Sequence, residues 1–380
     1  MKRSINIIGL IAILFYLLVL MGCNKAQYNH LVQKEVSQDK SEHESLGKYT
    51  SVLACVSNGN RFCYIDKTGK LSIGEQFYDA APFSEGLAAV KSGGKNGKYG
   101  YIDKTGKYFV KPQFYDAGPF SEGLAAVKVG GKNGKYGYID KTGKFLINPK
   151  FHRANPFYEG LAAVKVRDKN GKYGYIDKTG ENIINSKFVD AWPFSEGLAA
   201  VEVENSGGEY GFIDKTGKYI IKPQFDWAWS FYEGLAAVKV GGKNGKYGYI
   251  DKTGKYVINP QFDDTWHFSE GLAAVKVGEK DGKFGYIDKT GKYIINPQYD
   301  DAWPFSEGLA TVQIGGSEGK YGFIDMTAKY LIKPRFYKAN SFFNGLAAIQ
   351  IGGKKGKWGY IDRQDIIVIK PQFDSAGQFF

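Results

Sequence analysis

Asp66, Asp103, Asp140, Asp177, Asp214, Asp251, Asp288, Asp325 and Asp362 stand 37 residues apart without a slip, and each follows an Ile. In nearly every case an aromatic-Gly-aromatic triplet leads into that Ile. A fixed period of this length marks a tandem array in which no unit buries its own apolar face, so neighbours must stack to do it. Any function therefore resides on a surface presented nine times, or where the repetition is broken.

Within a unit, β-branched and aromatic residues alternate with period two, and no stretch of the array shows helical periodicity. Three strands follow, of the types Leu124-Ala125-Ala126-Val127-Lys128-Val129, Tyr136-Gly137-Tyr138-Ile139-Asp140 and Tyr219-Ile220-Ile221-Lys222. The Gly-rich turn Gly130 to Lys135 joins the first two strands, and Asp-Lys-Thr-Gly-Lys joins the second to the third. In that second turn the Asp carboxylate is expected to accept backbone N–H bonds and the Gly to take the left-handed conformation. Ala328 and Asp365 replace that Gly in the last two units. Pro112, Pro149, Pro223, Pro260, Pro297, Pro334 and Pro371 are expected to end the third strand, with Glu75 and Ser186 in their place in two units. A loop then leads to a Phe present in every unit, from Phe83 to Phe379, which reads as core. The fold class is all-β, a tandem array of nine three-stranded antiparallel units over residues 49–380.

Lys357-Trp358-Gly359-Tyr360-Ile361-Asp362, set between a Gly-Leu-Ala-Ala strand and a Pro-Gln-Phe-Asp segment, resembles the WG-repeat (KWG-repeat) family of bacterial proteins. Most other units hold Tyr at the family's Trp, as at Tyr99, Tyr136, Tyr173, Tyr210, Tyr247 and Tyr321, with Phe284 and Phe62 elsewhere. The resemblance implies a β-repeat architecture far more firmly than any activity. Propellers usually have four to eight blades and often share one blade between the two chain ends. Nine units in one phase, with no split unit visible, predict an open, curved, solenoid-like superhelix; a closed β-propeller is the alternative.

The N-terminus has a basic start (Lys2, Arg3), an apolar run from Ile5 to Met21, and then Gly22-Cys23. This is the pattern of a bacterial lipoprotein signal over residues 1–23, with Cys23 lipidated; an uncleaved membrane helix is the alternative. Either reading puts the repeats outside the cytoplasm, on the cell membrane or outer membrane. Residues 24–48 are polar and aperiodic and read as a disordered tether. In an exported chain, Cys55 and Cys63, flanking the turn Ser57-Asn58-Gly59-Asn60, are candidates for a disulfide across a hairpin.

Chemistry is sparse. The Gly-Gly-Lys-Asn-Gly-Lys turns lack phosphate-loop spacing, and no Cys/His cluster has zinc spacing. His152 and His267 are isolated; Asp263-Asp264 and Asp300-Asp301 lack a calcium-loop pattern. Glu85, Glu122, Glu159, Glu196, Glu233, Glu270 and Glu307 recur in a turn, as scaffold does. The sequence thus predicts no enzyme, cofactor or metal. Without Lys2 and Arg3, 49 of the 51 basic residues remain against 39 acidic ones, a net charge of +10. That excess outside the cell favours an anionic or glycan polymer of the envelope, or a protein partner, over nucleic acid.

The repeats differ in an organised way at one position, two before the invariant Phe: Ala81, Gly118, Asn155, Trp192, Trp229, Trp266, Trp303, Asn340, Gly377. Stacked units would line Trp192, Trp229, Trp266 and Trp303 into a stripe suited to sugar rings or a partner's apolar groups. The expected function is a lipid-anchored binding or scaffold protein at the cell surface. Its rivals are a carbohydrate or cell-wall recognition module and an enzyme on a repeat scaffold.

Overall fold

The computed structural model describes residues 52–166, 171–204, 207–279 and 281–380. The signal segment, Cys23 and the tether lie outside the described residues. Nine tandem units of β-strand are present, and the described residues contain no α-helix. Each unit has its three predicted strands, for instance Leu87–Ser92, Lys98–Asp103 and Tyr108–Phe114. Each sheet also has a fourth strand, supplied by the tail of the preceding unit: Asp79–Ala80 pairs with Leu87–Ser92 through Ala80 opposite Val90. Seven sheets therefore run in the order short, first, second, third strand, while units four and five share one seven-stranded sheet because Asn182–Ala191 serves as the third strand of one and the short strand of the next. Every sheet is open, and none rolls into a barrel by itself.

The ends of the array meet. The last strand, Ser375–Phe379, pairs with the first, Ala54–Asn58, and so fills the short-strand place that unit one cannot supply for itself. Leu53 and Phe380 exchange backbone bonds of 2.9 Å, and the Asp374 N–H donates to Ser57 O at 2.8 Å. Eight hydrophobic clusters each join consecutive units, and a ninth joins Leu346, Tyr360, Ile369 and Phe379 to Ala54, Val56, Cys63 and Ile65. The all-β class of nine tandem units stands as expected, and the pairing of the two ends closes the array into a propeller-like ring of nine units, the alternative to an open superhelix. Closure removes two exposed sheet edges and two exposed apolar end faces, which an open array would have to cover.

Burial orders the strands within the ring. First strands are buried almost throughout, while third strands alternate between buried and exposed and form the rim, leaving Phe109, Leu146, Ile220 and Leu331 in solvent. All nine invariant Phe side chains, Phe83 to Phe379, are buried, as predicted. Each meets a second-strand aromatic edge-on or tilted, as Tyr138 and Phe157 do at 4.8 Å between ring centres.

The prolines sit inside the third strand instead of ending it: Pro112 lies within Tyr108–Phe114. Opposite it the register slips, with Tyr101 facing Val110 but Tyr99 facing Phe114. The resulting bulge absorbs the missing N–H. It also presses backbone against the glycine of the aromatic-Gly-aromatic triplet, where a Cβ on Gly248 would lie 2.6 Å from Ile258 O and 2.7 Å from Pro260 N. That close approach is why the motif carries glycine.

The proposed disulfide does not form. Cys55 stands opposite Tyr64 and Val56 opposite Cys63, so the two cysteines lie on opposite faces of one hairpin and pack in different clusters. Burial, followed by the Cys63 and Asp79 charges, pushes the Cys55 thiol up to about 12. Both thiols should resist alkylation in the native protein and react fully after unfolding without reductant. Mass mapping that recovered a Cys55–Cys63 peptide pair would contradict this.

Candidate functional site

The turns that carry most of the recurrent polar residues are structural. Asp66 Oδ1 accepts from Thr68 N at 2.9 Å, Thr68 Oγ1 at 2.6 Å and Lys70 N at 3.1 Å, and Gly69 takes φ 83°. The pattern repeats in the other units, and Ala328 and Asp365 hold the same left-handed backbone at 66° and 67°. The recurrent glutamates have a role that sequence did not show. Each sits at φ between 50° and 55°, a conformation that disfavours side chains, and accepts from a glycine of the next unit. All but Glu270, which has Met326 at the corresponding place, also pair with a lysine or arginine one unit further on. Glu85 accepts from Gly123 N at 3.1 Å and pairs with Lys141 at 3.1 Å; Glu159 does the same with Gly197 and Lys215.

These carboxylates set the acid limit of the fold. Thr hydroxyl and backbone N–H bonds hold Asp140, Asp177, Asp214, Asp251, Asp288 and Asp325 below the ordinary 3.8. At Glu85, Glu122 and Glu233 burial pushes upward, but the lysine and glycine bonds outweigh it and leave all three below 4.5. A depressed folded pKa stabilises above the unfolded value and loses that contribution as pH falls through the folded one. The melting temperature should therefore be flat near neutrality and fall steeply below about pH 4. A midpoint unchanged down to pH 2 would contradict this.

The tryptophans occupy the inner edge of the ring. The backbone of each is pinned to the first strand, with Trp229 N donating to Ala237 O at 2.9 Å and Trp266 N to Ala274 O at 3.0 Å. The Trp192 and Trp266 carbonyls also accept the Tyr175 and Tyr249 hydroxyls at 2.7 and 2.8 Å. The indoles do form a stripe, in two pairs. Trp192 and Trp229 lie 5.8 Å apart and tilted, while Trp266 stacks on Trp303 at 6.0 Å with 21° between planes. Trp303 is 36% exposed; the other three are half-buried against the clusters between sheets.

Trp192, Trp229 and Trp266 line one cavity of about 510 Å³, together with Tyr158, Tyr232 and His267. Tyr158 and Tyr232 replace the Ser of the Phe-Ser-Glu-Gly turn, and His267 replaces a residue that is Pro in five units. The sequence carried that signal, but only the fold brings these substitutions to one place. Tyr232 stacks on His267 at 4.5 Å, and burial lowers the His267 pKa against the opposing pull of Glu233. The Trp229 indole N–H is buried and has no acceptor. Among the described residues, no group of three or more His, Cys, Asp or Glu is placed to hold a metal ion. Asp263 and Asp300 instead accept from Lys246 and Lys283.

The family described as "WG containing repeat" matches nine consecutive stretches, at residues 64–95, 99–132, 136–169, 173–206, 210–243, 247–280, 284–317, 321–354 and 358–380. A search of curated proteins gave no match. Among solved structures, a crystal structure of the eukaryotic initiation factor is similar with a TM-score of 0.63 and 12% identity, covering 87% of this chain and 98% of that one. At that identity the likeness shows the fold alone. Prolyl oligopeptidase B from Galerina marginata reaches a TM-score of only 0.42 at 12% identity, over 75% of this chain and 54% of its own.

Proposed function

The chain belongs to the WG containing repeat family, and from that premise we propose a non-enzymatic binding protein, exported and held at the cell envelope by a lipid on Cys23. The observation that carries the binding role is the aromatic cavity on units three to six, the place where a ninefold surface becomes asymmetric. Flat indole and phenol faces stack on sugar rings, and the Trp229 N–H offers a donor to a hydroxyl. We therefore assign the ligand to carbohydrate of the cell envelope. A protein partner is the second reading, favoured by the exposure of Tyr158 and Tyr232 at 45% and 44%.

Because Trp192, Trp229 and Trp266 also pack against the clusters between sheets, their removal would disturb stability and binding together. Tyr158→Ala and Tyr232→Ala separate the two effects. Each should leave the melting temperature nearly unchanged while weakening binding to cell-wall glycans about tenfold, read by quenching of tryptophan fluorescence. Wild-type protein with no response to any envelope glycan fraction, or variants that bind as well as wild type, would defeat the carbohydrate assignment.

A further inference from the structure

A second organised difference lies where the chain bends from the third strand into the short strand. The bend residues run Tyr78, Tyr115, His152, Val189, Asp226, Asp263, Asp300, Tyr337, Asp374. In six units this residue meets the lysine 17 positions earlier, at the start of the second strand. In three units the pair is a lysine and a carboxylate: Lys246 with Asp263, Lys283 with Asp300 and Lys357 with Asp374. In units two and three the same lysines meet no carboxylate. Lys98 lies over the Tyr115 ring at 5.4 Å, and Lys135 Nζ meets His152 Nε2.

The neighbouring lysines extend the pattern. Lys91 lies over both Tyr78 and Tyr99, and Lys128 over both Tyr115 and Tyr136, at 5.4 to 5.6 Å. Tyr115 is shared by Lys98 of one sheet and Lys128 of the next, so the cations of two sheets form one continuous run. Lys95 and Lys132 are exposed at the tips of the adjoining turns. The nearby carboxylates, Asp79 and Asp116, are engaged by the Tyr99 and Tyr136 hydroxyls at 2.5 Å. An aromatic face holds an ammonium in position without neutralising it. Among the described residues none of these six lysines has an ion-pair partner.

We propose that this run of lysines and tyrosines on units two and three binds a linear polyanion, a chain with phosphate or carboxylate groups repeated along its length. Cations spread over two sheets fit a chain better than a single small anion. The attraction releases counterions from the polymer and so weakens with salt. The site uses none of the residues of the aromatic cavity, and its failure would leave the carbohydrate assignment untouched.

The repeat itself supplies the test. Tyr115→Asp with His152→Asp installs the carboxylate that units six, seven and nine carry at this bend, so the variant should fold with wild-type thermal stability. Binding of the full chain is measured on immobilised long-chain polyphosphate and on polygalacturonate at low ionic strength. Wild type should be retained on at least one, which also identifies the anionic group, and should elute with salt; the double variant should bind about tenfold more weakly with a shallower salt dependence. Equal affinity of variant and wild type would overturn the proposal. So would absence of wild-type retention on both polymers, full competition by orthophosphate at equal phosphate concentration, or retention only on phosphatidylglycerol vesicles.

Discussion

Deleting Ser375–Phe380 should open the ring and cost the protein about 5 kcal/mol or more, seen as an early, broadened unfolding transition and a more elongated particle in small-angle scattering. The deletion removes the buried Phe379, whose loss alone is worth about 3–5 kcal/mol by analogy with other core aromatics. It also removes the backbone bonds to Leu53, the bond from Tyr360 to Gly377 O at 2.7 Å and that from Asn344 to Phe379 O at 3.0 Å. What remains is a bare edge on Ala54–Asn58, open to pairing with a second chain. A truncated protein that is monomeric, compact and melts with the wild type would show that the ring does not depend on this strand.

The second large effect is expected from one methyl group. Gly248→Ala places a Cβ 2.6 to 2.9 Å from Ile258 O, Pro260 N and Asn259 C, all backbone atoms of a bulge whose register is fixed on both sides. Neither partner can step aside without breaking the ladder, so the loss should reach about 3 kcal/mol, the upper end for overpacking. Unit one offers the control, because Cys63 occupies the same position where the third strand carries no proline. Cys63→Ala should cost much less in the same urea titration. Similar values for the two variants would mean that the bulge yields, and that the glycine is kept for some other reason.

Much of this architecture is legible in the chain because it is said nine times. The period, the buried Phe, the Asp-Lys-Thr-Gly turn and the indole stripe each rest on a local pattern whose physical cause acts within one unit. The short inner strand escaped because two residues, such as Asp79 and Ala80, are too few to show an alternation. Missing it hid the closure: unit one lacks that strand and the last tail supplies it, so the chain is split between its ends after all. The glutamates were read as scaffold, correctly, but their partners lie 38 and 56 residues away and follow no sequence rule. Tyr158, Tyr232 and His267 were visible as departures from the repeat, yet nothing in one dimension places units three, five and six around a common space.

The meeting of Ala54–Asn58 with Ser375–Phe379 also bears on how such a gene can change. Near-identical tandem segments invite slippage during replication, and an open array would accept a gained or lost copy at little cost, since its two ends never need to find each other. A ring does not have that freedom. Loss of one copy would force every remaining interface to re-angle before the termini met again, and all eight sets of contacts would be compromised at once. Closure therefore ties the ring to its number of copies, while the residues at the indole and bend positions differ from copy to copy without disturbing it.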